Sequence, residues 1–103
     1  MKAKTEREGN MLVITVGEAV NAVNAPELKA LVEEAADEDV REIVFDVTDM
    51  PYTSSAGLRV FLASQNMMDD RGGRLELTGV GESVRDILAE SGFITFMNYS
   101  TAE

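Results

Sequence analysis

The richest chemistry in this chain sits in three consecutive hydroxyl residues, Thr53, Ser54 and Ser55, behind Pro51 and Tyr52 and ahead of a helix-patterned run. Each hydroxyl is a candidate phosphate acceptor or helix cap. Ser55 immediately precedes the run, so its side chain is placed to satisfy the free N–H groups of a first helical turn. Such a helix end carries roughly half a positive charge, which stabilises an exposed anion by about 0.3–1 kcal/mol. A phosphate there would add about −1.5 to −2 charge to a surface loop, enough to repel an acidic or apolar partner face while leaving the domain intact. Arg59 follows Ser55 by four positions, on the same side of a helix, where it could hold that phosphate or a partner's carboxylate. Asp46 and Asp49 flank the loop's approach, but no oxygen cluster with cation-binding spacing surrounds them, so no metal is expected.

Composition removes most enzymatic alternatives. The chain has no histidine and no cysteine, which excludes zinc sites, Cys–His dyads and Ser–His–Asp triads. No lysine lies near Ser54 or Ser55 in sequence to act as a base, so a non-enzymatic protein is expected. Gly79-Val80-Gly81 stands outside any phosphate-loop pattern, and no cofactor is expected. Acidic residues outnumber basic ones by 19 to 9, for a net charge of −10, and a phosphate backbone would repel such a surface. Nucleic-acid binding is therefore not expected. The 45% apolar and 27% charged shares are those of a folded domain, and 103 residues suit one domain spanning 1–103. No apolar run approaches the roughly 18 residues of a membrane span, and the first ten residues are too polar for a signal-peptide core. Without cysteine staples, a cytoplasmic protein is the expectation.

The elements that must position the hydroxyls follow from periodicity. Lys2–Arg7 reads as an edge strand, Glu8-Gly9-Asn10 as a turn and Met11–Val16 as its hairpin partner. Gly17 ends that strand, and after the loop Glu18–Val23, Asn24 reads as a helix cap, with Pro26 in the first turn and Glu27 three residues beyond the cap. Leu28, Leu31, Val32 and Ala35 then form one apolar face, and the acidic residues from Glu33 to Asp39 read as solvated. Ile43–Val47 is apolar on both parities, which predicts a central strand covered on both faces. The pattern from Ala56 to Asp70 predicts a helix with Leu58, Phe61, Leu62, Gln65 and Met68 on one stripe, Met67 and Met68 filling core. Arg71-Gly72-Gly73 breaks it, Arg74–Thr78 reads as a strand, and Val84, Ile87 and Leu88 mark a short helix capped by Gly92 against Phe93. Ile94–Phe96 reads as a final short strand. Strands alternating with helices predict an α/β sandwich, a central, mixed and largely parallel sheet packed with helices. Sheets of that kind place function at the C-terminal ends of their strands, where Pro51–Ser55 falls.

The string Phe45-Asp46-Val47-Thr48-Asp49-Met50-Pro51-Tyr52-Thr53-Ser54-Ser55-Ala56-Gly57-Leu58-Arg59-Val60 resembles the signature of the STAS-domain anti-sigma-factor antagonists. Leu88-Ala89-Glu90-Ser91-Gly92-Phe93 is similar to a later segment of that family, and Gly17 with Asn24–Leu28 to its first loop and helix, so the resemblance covers nearly the whole chain. It implies a STAS-like fold and a phosphorylation-controlled partner switch. The unphosphorylated form would bind an anti-sigma factor that is also a serine kinase and so release the sigma factor. Serine phosphorylation would break that complex, and a PP2C-type phosphatase would restore it. Aligned on Gly57-Leu58, the phosphoacceptor falls on Ser55, with Ser54 the second choice. The implied partner surface comprises Asn21, Asn24, Pro51, Tyr52, Thr53, Ser54, Gly57, Leu58 and Arg59, on a protein expected to be monomeric when free. Two departures make this surface less acidic than the family's: Ser54 and Asn21 stand where family members carry aspartate, in the second case within a loop one residue longer. The rival reading is a STAS-like docking or regulatory subunit of a transport complex, or a stress-sensing scaffold, with no sigma factor involved.

Overall fold

Alternation of apolar side chains builds the sheet. A computed structural model of the chain describes residues 1–95 and 97–101. Its strands are β1 (Ala3–Glu8), β2 (Met11–Val16), β3 (Glu42–Asp46), β4 (Arg74–Val80) and β5 (Asn98–Thr101), and its helices are α1 (Ala25–Ala35), α2 (Ser55–Asp70) and α3 (Glu82–Ser91). The sheet order is β1-β2-β3-β4-β5; β1 runs antiparallel to β2, and the other pairings are parallel. Gly9, at φ +60, makes the β1–β2 turn that the Glu8-Gly9-Asn10 cluster predicts.

Register places Ile14 beside Phe45 and Phe45 beside Leu77, so the largest apolar residues of three strands share one face. That face is fully buried, together with Leu28 of α1, Phe61 and Met68 of α2, and Val84 and Leu88 of α3, in a single core. Phe45 and Phe61 meet edge to face, with centroids 4.9 Å apart and planes inclined at 64°, an arrangement worth about 0.5–1.5 kcal/mol beyond its area. The opposite face is less covered: Val13, Val44 and Glu76 are only partly buried. The expectation that β3 is covered on both faces is therefore corrected. Its two-parity apolarity comes from one half-buried valine, Val44, between two fully buried residues, Ile43 and Phe45.

Two boundaries also differ from the sequence reading. Helix α2 begins at Ser55 rather than Ala56, which makes Ser55 its first residue and Ser54 its flanking one. Beyond Gly92, which caps α3 at φ +82 as expected, Phe93–Thr95 forms a 3₁₀ turn, and the last strand starts at Asn98. The expected strand Ile94–Phe96 is thus displaced along the chain: Met97 N–H donates to Phe93 O, so this stretch winds before it extends, and Phe96 lies outside the described residues. Met68 is fully buried and Met67 packs against the core, as the pattern predicts.

Candidate functional site

Because β2 and β3 are parallel, the loops that follow them emerge at the same end of the sheet. Two backbone hydrogen bonds join them: Val20 N–H donates to Tyr52 O at 3.1 Å, and Ser54 N–H donates to Val20 O at 2.8 Å. Val20 and Thr53 form a parallel bridge at this seam, and both are fully buried. Thr53 lies so close beneath α2 that a Cβ on Gly57 would come within 2.0 Å of its Oγ1 and 3.0 Å of a Val20 methyl. Glycine at 57 is thus required by close approach, and it lets the start of α2 rest directly on the seam.

The first loop is organised by its two asparagines. Asn21 Oδ1 accepts from Val23 N–H at 2.8 Å and Asn24 N–H at 3.1 Å, an Asx turn. Asn24 Oδ1 accepts from Asn21 N–H at 2.8 Å, and its amide donates to Ala19 O at 2.9 Å and Glu18 Oε1 at 3.3 Å. Asn24 flanks α1, but its side chain makes no cap hydrogen bond. Glu27 instead accepts from the Met1 amino group at 2.8 Å, so the expected capping arrangement is replaced by a loop closed on itself. Glu18 also accepts from the Lys2 backbone N–H, and this bond, with support from Asn24 and nearby positive charge, holds its carboxyl below the ordinary value. One consequence of the turn is that Val23 is pushed outward, 86% exposed.

Ser55 is exposed, whereas the neighbouring Ser54 hydroxyl is buried and has no hydrogen-bond partner among the described residues. Ser54 holds the N-cap position with extended backbone, φ −99 and ψ 177, yet makes no side-chain cap. The first intrahelical bond runs from Leu58 N–H to Ser54 O at 3.1 Å, and among the described residues no side chain accepts from the N–H groups of Ser55, Ala56 and Gly57 that precede it. The expectation that Ser55 caps the helix is corrected accordingly: Ser55 is the first residue of α2, inside its first turn, and Ser54 holds the N-cap position.

The remaining predicted contact residues divide by burial. Asn21, Pro51, Tyr52 and Arg59 are exposed, and Asn24 is half-buried. Thr53, Gly57 and Leu58 are buried and shape the surface from beneath. Asp46 is occupied by Thr48, accepting from its N–H at 3.1 Å and its Oγ1 at 2.7 Å. Among the described residues no group of three carboxylates, histidines or cysteines is placed to hold a metal. Val20 and Val23 were missed by the sequence reading. Val23 alone left a trace there, as a large apolar residue in a turn-forming run with no helical or strand partner.

Charge is distributed unevenly around Ser55. On one side a groove of about 480 Å³ between α1 and α2 is bordered by Lys29 and Arg59. On the other, Tyr52 shares a shallow concavity of about 450 Å³ with Glu82 and Asp86 at the start of α3. The side chains of Lys29 and Arg59 make no hydrogen bond or ion pair among the described residues. No helix among them is long and apolar enough to cross a membrane.

Comparison with known proteins agrees with this geometry. A curated relative from Bordetella bronchiseptica, BtrV, named as an anti-sigma factor antagonist, is 33% identical over 95 residues, spanning 92% of this chain and 82% of its own. An anti-sigma factor antagonist of Thermotoga maritima superposes with a TM-score of 0.87 at 18% identity, over 96% of this chain and 86% of that one. SpoIIAA superposes in its unphosphorylated form with a TM-score of 0.78 at 16% identity, over 98% and 89% of the two chains. In its phosphorylated form, from Bacillus, the TM-score is 0.75 at 18% identity, over 96% and 91%. The STAS domain model matches residues 2–103, and with a hydroxyl-bearing helix start on a mixed five-stranded sheet, the chain belongs to the STAS domain family.

Proposed function

We propose that this protein is an anti-sigma factor antagonist, a non-enzymatic cytoplasmic binding protein whose partner is an anti-sigma factor with serine kinase activity. The unphosphorylated protein binds that kinase and frees the sigma factor. Phosphorylation of Ser55 dissolves the complex, and a PP2C-type phosphatase regenerates it. The observation that carries this reading is the contrast between adjacent hydroxyls: Ser55 is exposed at an uncapped helix start, while the Ser54 hydroxyl is buried. A kinase active site reaches the first without unfolding the second. The names borne by BtrV and SpoIIAA, and the phosphorylated form of the latter, support the same reading.

A phosphate at Ser55 needs a coupling of only about 1–3 kcal/mol to partner affinity to change complex formation by roughly 5–150-fold. An added double charge within a contact patch that includes Tyr52 and Val23 supplies it through desolvation and repulsion. The test is calorimetric titration against each anti-sigma factor kinase of the source genome, expressed as a pure protein. Ser55→Ala should bind one of them as the wild type does and resist its ATP-dependent inhibition, while Ser55→Asp should bind weakly. Equal affinities for the two variants would overturn the switch, and phosphopeptide mapping that placed the phosphate on Ser54 would overturn the assignment to Ser55.

A further inference from the structure

The groove between α1 and α2 is not explained by phosphorylation of Ser55. Its floor is apolar, made by Ala25, Pro26, Ala56 and Val60, and it opens beside Ala22, next to the exposed Val23. A smaller hollow continues it along the same two helices, sharing Lys29, Val60 and Ala63 and ending near Met67, with Glu33 at its edge. The charges around the main groove stand out against the rest of the molecule. Acidic residues outnumber basic ones by 19 to 9 in this chain, yet the charged side chains lining this groove are Lys29 and Arg59. Neither is committed to a hydrogen bond or ion pair among the described residues, whereas Arg7, Arg41 and Arg71 each bond to the fold. An apolar trough bordered by two uncommitted cations is complementary to an apolar surface that carries carboxylates.

Resting on the function proposed above, we infer that this groove seats one helix of the anti-sigma factor kinase, apolar on its inner face and acidic at the end that lies over Arg59 and Lys29. An amphipathic helix fills a trough between two helices with side chains spaced three and four apart. The charge order along the groove, Arg59 and Lys29 near Ser55 and Glu33 at the far end, sets the direction in which that helix lies. It also links the groove to the switch. Ser55 and Arg59 are one helical turn apart on α2, so a phosphate on Ser55 competes with the partner's carboxylate for the same guanidinium.

The experiment titrates the recombinant kinase, without ATP, against Lys29→Glu, Arg59→Glu and Ala63→Arg, with Lys4→Glu on exposed β1 as the control. Ser55→Asp is measured alongside. All five substituted positions are exposed, and circular dichroism checks that each variant is folded. Charge reversal at 29 or 59 should weaken binding at least tenfold and flatten its salt dependence. Ala63→Arg, which fills the trough, should weaken it similarly, and Lys4→Glu should change it less than twofold. Wild-type affinity for both Lys29→Glu and Ala63→Arg, with Ser55→Asp still weak, would overturn the groove assignment and leave the switch standing. Failure of the wild-type protein to bind any of the kinases would overturn both.

Discussion

The two ends of the sheet use arginine in opposite ways. At the end away from Ser55, Arg71 donates to Asp37 O at 2.6 Å, Val40 O at 3.1 Å and Ala36 O at 3.2 Å, closing the C-terminal end of α1 from the C-terminal end of α2. Arg74 N–H donates to Arg41 O at 2.9 Å beside it, and a Cβ on Gly73 would come within 2.0 Å of that same carbonyl. At the other end, the Arg59 side chain bonds to nothing among the described residues, α2 starts without a side-chain cap, and Val23 and Tyr52 stand exposed. Satisfied carbonyls and committed cations hold a fold together; unsatisfied N–H groups, a spare cation and exposed apolar side chains are what a binding surface needs. The molecule separates these requirements by placing them at opposite ends of the same helix.

The largest effect expected from this contrast is on stability. Arg71→Ala removes three charge-assisted hydrogen bonds, leaving Ala36 O without its donor while Val40 O keeps Arg41 and Asp37 O keeps Val40 N–H, and should cost about 2–3 kcal/mol, lowering Tm by roughly 10 °C. Arg59→Ala should leave stability within about 0.5 kcal/mol of wild type in the same urea titration. Comparable losses for the two variants would erase the distinction. A smaller effect, about 1–3 kcal/mol, is expected for Gly57→Ala, whose methyl collides with Thr53. Thr53→Ala added to Gly57→Ala removes the colliding Oγ1 and should recover part of the loss, so a double variant no more stable than Gly57→Ala would place the strain elsewhere.

Smaller still is the expected cost of Ser54→Ala. An N-cap serine ordinarily contributes about 1 kcal/mol, but this hydroxyl makes no cap and no other hydrogen bond among the described residues, so the variant should unfold within about 0.5 kcal/mol of wild type. A full capping loss would show that the end of α2 is closed after all. The finest probe is Glu18, which ties the first loop to the start of β1. Its carboxyl titrates below the ordinary value because the ionised form is bonded to Lys2 N–H, so its contribution is present above the unfolded-state pKa. That contribution is lost as pH falls through the lower folded-state pKa. NMR titration should show the depressed value, and Glu18→Gln should flatten the acid limb of the stability curve slightly. An unshifted Glu18 would mean that the loop is not tied there.

Local pattern made much of this molecule legible. Alternation in Met11–Val16, the turn at Gly9, the stripe on Leu58, Phe61 and Met68 and the left-handed cap at Gly92 are each decided within a few residues, where side-chain period and backbone sterics dominate. The hydroxyl run was legible for the same reason, since a polar loop after an apolar strand in an α/β chain falls at the strand's C-terminal end. Where the sequence misled, the competition was local but the outcome was not. Asn24 is a favourable cap by type, yet Asn21, Ala19 and Glu18 take up its side chain, and the Met1 amino group takes Glu27.

By itself the sequence determined the class of fold, the family and the segment that bears the hydroxyls, because these depend on periodicity and on motif residues adjacent in the chain. Only the tertiary structure decided which of Ser54 and Ser55 is accessible, since that turns on how deeply Thr53 sinks beneath Gly57 when Val20 draws the second loop onto the first. It alone also decided that Lys29 and Arg59, 30 positions apart in the chain, border one groove. Burial and juxtaposition are properties of packing between distant segments, and no spacing along the chain encodes them directly.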